Sequence, residues 1–208
     1  KYEISMLNRR LIRIKVFKSL FSAVSSGADS AIGVEKSFLT SCDKTRDLYF
    51  FMMDVAVALK SAADMKIEAG LKKFHPTPQE KNPNMKFSEN LFVERIMSEE
   101  KFVSYVEREG LLWNSEELQL YVKKLYARIS EKGYFKDYMS SSERSFKEDC
   151  NLFIRIFSEE FEDDETLEQI LEDMSLFWMD DLGFVLMTIV SNIEFLRDRD
   201  KFVIPNTF

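Results

Sequence analysis

The chain has 208 residues, 45% of them hydrophobic and 19 of them Phe, with 36 acidic against 29 basic side chains and a formal charge of −7. That is material for one substantial core, and too apolar for a disordered chain. Six Gly and four Pro leave little punctuation for sheets and hairpins, so long helices are expected.

The opening stretch "MLNRRLIRIKVFKSLF" (6–21) sets Arg9, Arg10, Arg13, Lys15 and Lys18 among Leu, Ile, Val and Phe, with no acidic residue. It reads as a helix over 8–25 with Asn8 as its N-cap. Arg9 and Arg13 stand at i and i+4 with Arg10 beside them, while Lys15 and Lys18 project from a different sector. Leu7, Leu11, Ile14, Phe17 and Phe21 fill one broad face, and Ile12 and Val16 lie nearly opposite. A helix apolar on both sides is expected at the centre of a bundle, not on a membrane surface. "SSGAD" (25–29) ends it.

Residues 34–74 contain no Pro and one Gly. Phe38, Cys42, Thr45, Tyr49, Met52, Ala56, Leu59 and Ala63 alternate in steps of four and three, a helical stripe close to a coiled-coil seam. A single helix of this length would run roughly 50–60 Å, which leaves room for a break near its middle. The apolar run "LYFFMMDVAVAL" (48–59) carries Asp54 and is too short to cross a bilayer.

"HPTPQEKNPN" (75–84) is the obvious linker. Helical patterns resume at about Glu89. Asn114 and Glu117 stand in capping-box spacing; Phe146, Cys150, Phe153 and Phe157 share one face. The last helix carries the stripe Leu182, Leu186, Ile189, Ile193, Leu196. The expected architecture is all-α, a helical bundle in one domain over 1–208. It comprises a basic first helix and long helical stretch (6–74), a Pro-rich linker (75–88) and further, acidic helices (89–208). Residues 143–200 hold 17 acidic and 5 basic side chains, so the remainder is basic.

Catalytic chemistry finds little purchase. The one histidine, His75, sits in the linker, which leaves a His–carboxylate base, a His metal cluster and a di-iron bundle poorly supported. The glycines form no phosphate loop. "EEFEDDE" (159–165) and "MDD" (179–181) directly precede helical patterns and are expected to cap them rather than to bind metal. Trp113, Trp178, Cys42 and Cys150 are expected in the core. The expectation is a non-enzyme without metal or cofactor, soluble and cytoplasmic, with no membrane contact.

From charge alone, the basic helix suits RNA phosphates and plain solvation equally. The residue order adds to this. "NRRLIRIKVFKSLF" resembles the start of the NusB family of transcription antitermination factors, whose first helix reads as a polar cap, Arg-Arg, two residues, Arg and an apolar run. Asn8, Arg9, Arg10, Arg13, Leu20 and Phe21 fall into that pattern. "NPNMKF" (82–87) and "LFWMDDLGFVL" (176–186) look like segments of a longer branch of the family with an inserted helical region. The family's Trp-x-x-x-Arg-Leu helix has no counterpart: after Trp178 the chain continues Met-Asp-Asp-Leu-Gly, with no Arg-Leu.

The resemblance implies a NusB-like all-α fold lacking a downstream half. It also implies binding of boxA-type single-stranded RNA, with the ribosomal protein NusE and the transcription elongation complex as partners. Arg9, Arg10 and Arg13, then Lys15 and Lys18, would be the RNA-binding residues. Two alternatives stand beside it: a helical protein-interaction module that does not touch nucleic acid, and an accessory RNA-binding domain of an rRNA methyltransferase. The long helices also offer a surface for a homodimer.

Overall fold

A computed structural model describes residues 7–27, 30–178 and 180–204; among them the regular structure is ten α-helices and no strand. Met6, the terminal residues 205–208 and Met179 of the "MDD" cluster lie outside the described residues. The helices are α1 (Arg9–Ser26), α2 (Ala31–Leu71), α3 (Pro78–Lys81), α4 (Leu91–Met97) and α5 (Glu100–Glu109), then α6 (Glu116–Glu131), α7 (Gly133–Ser140), α8 (Phe146–Glu159), α9 (Glu165–Met174) and α10 (Leu182–Arg199). The all-α bundle expected from the sequence is the fold.

Local chemistry sets the ends. The Leu11 N–H donates to Asn8 Oδ1 at 2.8 Å, a cap worth about 1 kcal/mol. α1 stops at Gly27, whose left-handed backbone (φ 65°) carries its N–H to the Ala23 and Val24 carbonyls; a Cβ would strain that conformation. Thr77 and Glu80 close a reciprocal capping box on α3. At α6 the expected cap is one residue off: Ser115, not Asn114, accepts the Leu118 N–H.

α2 is one unbroken helix of 41 residues, about 60 Å long, because no Pro or cap interrupts it. Cys42, Thr45, Tyr49, Met52, Ala56, Leu59 and Ala63 of its stripe are buried, and Phe38 is half-buried. Residues 47–56 are buried on every side, and α1, α3, α4, α5, α6 and α10 all pack on α2. The central helix is therefore α2; α1, expected at the centre, lies at the margin.

Phe51 is stacked between two indoles, with ring centroids 4.3 Å from Trp113 and 5.3 Å from Trp178. The two indole N–H groups donate at 2.7 Å to the Phe51 and Lys44 carbonyls, so each large ring is buried without an orphaned donor. Both cysteines are free and buried, and burial pushes the Cys150 thiol up to about 12.

"NPNMKF" and "LFWMDDLGFVL" act as bolts. Asn84 donates to the Met139 carbonyl (2.7 Å) and buried Lys86 to the Ser141 carbonyl (3.1 Å), which ties the linker to the α7–α8 turn. Trp178 and Asp181 tie the start of α10 to α1 and α2. Asp164 caps α9 as expected, accepting from the Leu167 N–H, whereas Asp181 makes no side-chain cap and is spent on tertiary bonds instead.

Candidate functional site

The five basic residues of α1 separate into two groups. Leu11, Lys15 and Ser19, at i, i+4 and i+8, form the face turned to α2 and are buried. Lys15 is 5% exposed; its Nζ donates to Asp181 Oδ2 at 2.7 Å and to the Ser41 carbonyl at 3.0 Å. The Thr45 hydroxyl donates to the same carboxylate oxygen at 2.6 Å. Lys15, expected among the RNA-binding residues, is therefore an internal anchor whose ammonium is spent within the fold. Lys18 is exposed and paired with Asp180.

Arg9, Arg10 and Arg13 remain exposed, and no ion pair is formed by them among the described residues. They share the outward side of α1 with the residues that the sequence placed inward. Leu7 and Leu11 of the expected apolar face are buried, but Phe17 is 67% and Phe21 63% exposed. Leu20 and Val24 are exposed beside them, and the two phenyl rings stack at 6.1 Å. The reason is the Lys15 anchor: satisfying that buried ammonium rotates the helix so that Phe17 and Phe21 face away from α2.

The outward side has a regular spacing. Arg10, Ile14, Phe17, Phe21 and Val24 follow one another in steps of four, three, four and three, the period of a helix–helix seam. Its basic end borders a groove of about 620 Å³ between α1 and α10, lined by Arg10, Leu11, Ile14, Phe184 and Met187 among others. Its apolar end reaches the last turn of α1, and Ile32 near the start of α2 is also exposed. The face is thus graded, cationic over the first turns of α1 and apolar over the last two.

Among the described residues no group of three or more His, Cys, Asp or Glu is placed to hold a metal ion, and no helix is long and apolar enough to cross a membrane. Burial pushes Asp54 up to about 7, with the Trp113 backbone N–H as a countering bond. It is enclosed in the core and is not a residue that sequence reasoning marked. His75 is exposed in the linker, its ring edge-on to Phe74.

No family model, no curated protein and no solved structure matches the chain. With Lys15 buried and Lys18 paired, the cationic helix read from the sequence is reduced to three arginines on a largely apolar face. The description in terms of transcription antitermination, NusB and RNA binding is corrected accordingly to the coarser one, an all-α helical bundle.

Proposed function

We propose that the chain is a helical protein-interaction module that docks a partner helix along the outward side of α1. The observation that supports it is the exposed seam Ile14, Phe17, Phe21 and Val24, continued by Leu20. An isolated exposed apolar side chain needs no explanation, but a contiguous stripe at helix–helix period does. A helix covered on one apolar side and bare on the other has a binding surface already formed.

The test is direct. A synthetic amphipathic helix with Leu at 4–3 spacing binds the chain, and Phe17→Asp with Phe21→Asp abolishes that binding. Both positions are exposed, so the melting temperature of the double variant stays at the parent value. Unchanged binding by that variant would remove α1 from consideration.

A further inference from the structure

We propose that the partner helix is acidic at one end, with carboxylates that meet Arg9, Arg10 and Arg13 while its apolar seam covers Phe17, Leu20, Phe21 and Val24. This rests on the docking reading and adds the partner's chemistry. The seam from Arg10 to Val24 spans four turns, about 21 Å along the axis, so the complementary segment is a helix of similar length.

The charge argument comes from α1 itself. Its first turn contains two arginines and no acidic residue, against the positive end of the helix dipole. No carboxylate of the fold among the described residues pairs with Arg9, Arg10 or Arg13, and the nearby ones are engaged: Asp181 holds Lys15 and Asp180 holds Lys18. Covering the seam with a purely apolar helix would strip water from these cations without a counter-charge, which costs affinity. Carboxylates at the matching end remove that cost, and arginine forks donate to them bidentately.

The other occupants fit less well. A second copy docked through the same seam sets arginines against arginines if parallel. If antiparallel, it buries them against Phe21 and Val24. A single-stranded nucleic acid could neutralise the arginines but leaves the aliphatic Leu20 and Val24 without a complement. Phe17 and Phe21 stack on each other, not as separate platforms for bases.

Two synthetic helices test this on the whole chain by fluorescence anisotropy. They share one Leu seam, and one carries three Glu at an end where its twin carries three Lys. The acidic peptide is expected to bind roughly tenfold or more tightly than the twin, with the advantage shrinking in high salt. Arg10→Glu with Arg13→Glu is expected to reverse the preference. Equal binding of both twins, abolished by Phe17→Asp with Phe21→Asp, would overturn the acidic partner and leave the docking reading intact. Binding of neither twin by a chain that sediments as a monomer would overturn both. A dimer dissociated by Phe21→Asp would assign the face to a second copy and overturn the proposal. So would salt-sensitive capture of single-stranded oligoribonucleotide that depends on the arginines and ignores the phenylalanines.

Discussion

Lys15 and Asp181, 166 positions apart in the chain, form a buried ion pair with Nζ and Oδ2 2.7 Å apart and both residues at most 5% exposed. The Thr45 hydroxyl and the Ser41 carbonyl complete the cluster, so α1, α2 and the start of α10 meet at one charged point. A buried pair of this kind contributes little relative to an apolar replacement, but losing one member leaves the other unpaired in the interior. Lys15→Ala is therefore expected to destabilise the chain by about 3–5 kcal/mol. Lys15→Met combined with Asp181→Leu should recover most of that loss. Chemical denaturation of Lys15→Met, Asp181→Leu and their double variant closes the cycle. Additive losses would show that the pair is not the anchor.

The outward arginines should behave in the opposite way. Arg10 lies in the first turn of α1 against the helix dipole, without an ion pair among the described residues. Arg10→Glu is expected to leave stability unchanged or raise it by about 0.3–1 kcal/mol. The same substitution weakens capture of an acidic helix. A residue that stabilises when reversed and disables binding when reversed is retained for its surface, and thermal melts beside anisotropy separate the two effects. A fall in stability as large as that of Lys15→Ala would instead place Arg10 in the fold.

How much of this was legible depends on how local the cause is. The α2 stripe, the Asn8 cap and the burial of Trp113 and Trp178 follow from spacing and side-chain type within a few turns. The rotation of α1 does not. Its residues are apolar on both sides, so periodicity is nearly silent about which side is buried, and the deciding partner of Lys15 sits on a distant helix. The same holds for "NPNMKF" and "LFWMDDLGFVL". Their residue types are visible in the sequence, but their work as bolts emerges only when the α7–α8 turn meets the linker and α10 is folded onto α2. Ile14, Phe17 and Phe21 stand in the sequence on one apolar face with Leu7 and Leu11, and they become a candidate site only once their exposure is known.

Asp54 gives the chain a pH dependence that runs against the usual direction. Burial raises its folded-state pKa to about 7, above the value of about 3.9 for an unfolded chain. The folded state therefore holds the proton more tightly, and the stability this contributes is complete below about pH 4 and lost as pH rises toward and through 7. Asp54→Asn, which stays neutral and keeps an acceptor for the Trp113 N–H, should be more stable than the parent at pH 8 by about 2–4 kcal/mol. The gap should close near pH 4. Urea unfolding across that range measures it, and a gap independent of pH would mean that Asp54 is charged in the fold.

The linker bolt supplies the last expectation. The Tyr138 hydroxyl donates to Asp149 Oδ1 at 2.7 Å and accepts from Asn90 Nδ2 at 3.2 Å, and the Lys86 ammonium lies over the ring of the same tyrosine, 4.3 Å from its centroid. Tyr138→Phe keeps the ring and that cation–π contact but leaves a buried carboxylate one donor short and a buried amide without its acceptor. The expected cost is about 1–3 kcal/mol. Burial already holds the Asp149 carboxyl above its ordinary value, and Tyr138 is one of the groups pulling it back down. Without the hydroxyl the folded-state pKa rises further, so the variant's deficit is largest at neutral pH and shrinks in acid, where Asp149 is protonated in both chains. Hydrogen exchange should place the loss at the α7–α8 turn and at the start of α4, where the Leu91 N–H donates to the same carboxylate. Uniform loss of protection across the helices would assign the hydroxyl to global stability instead of to the bolt.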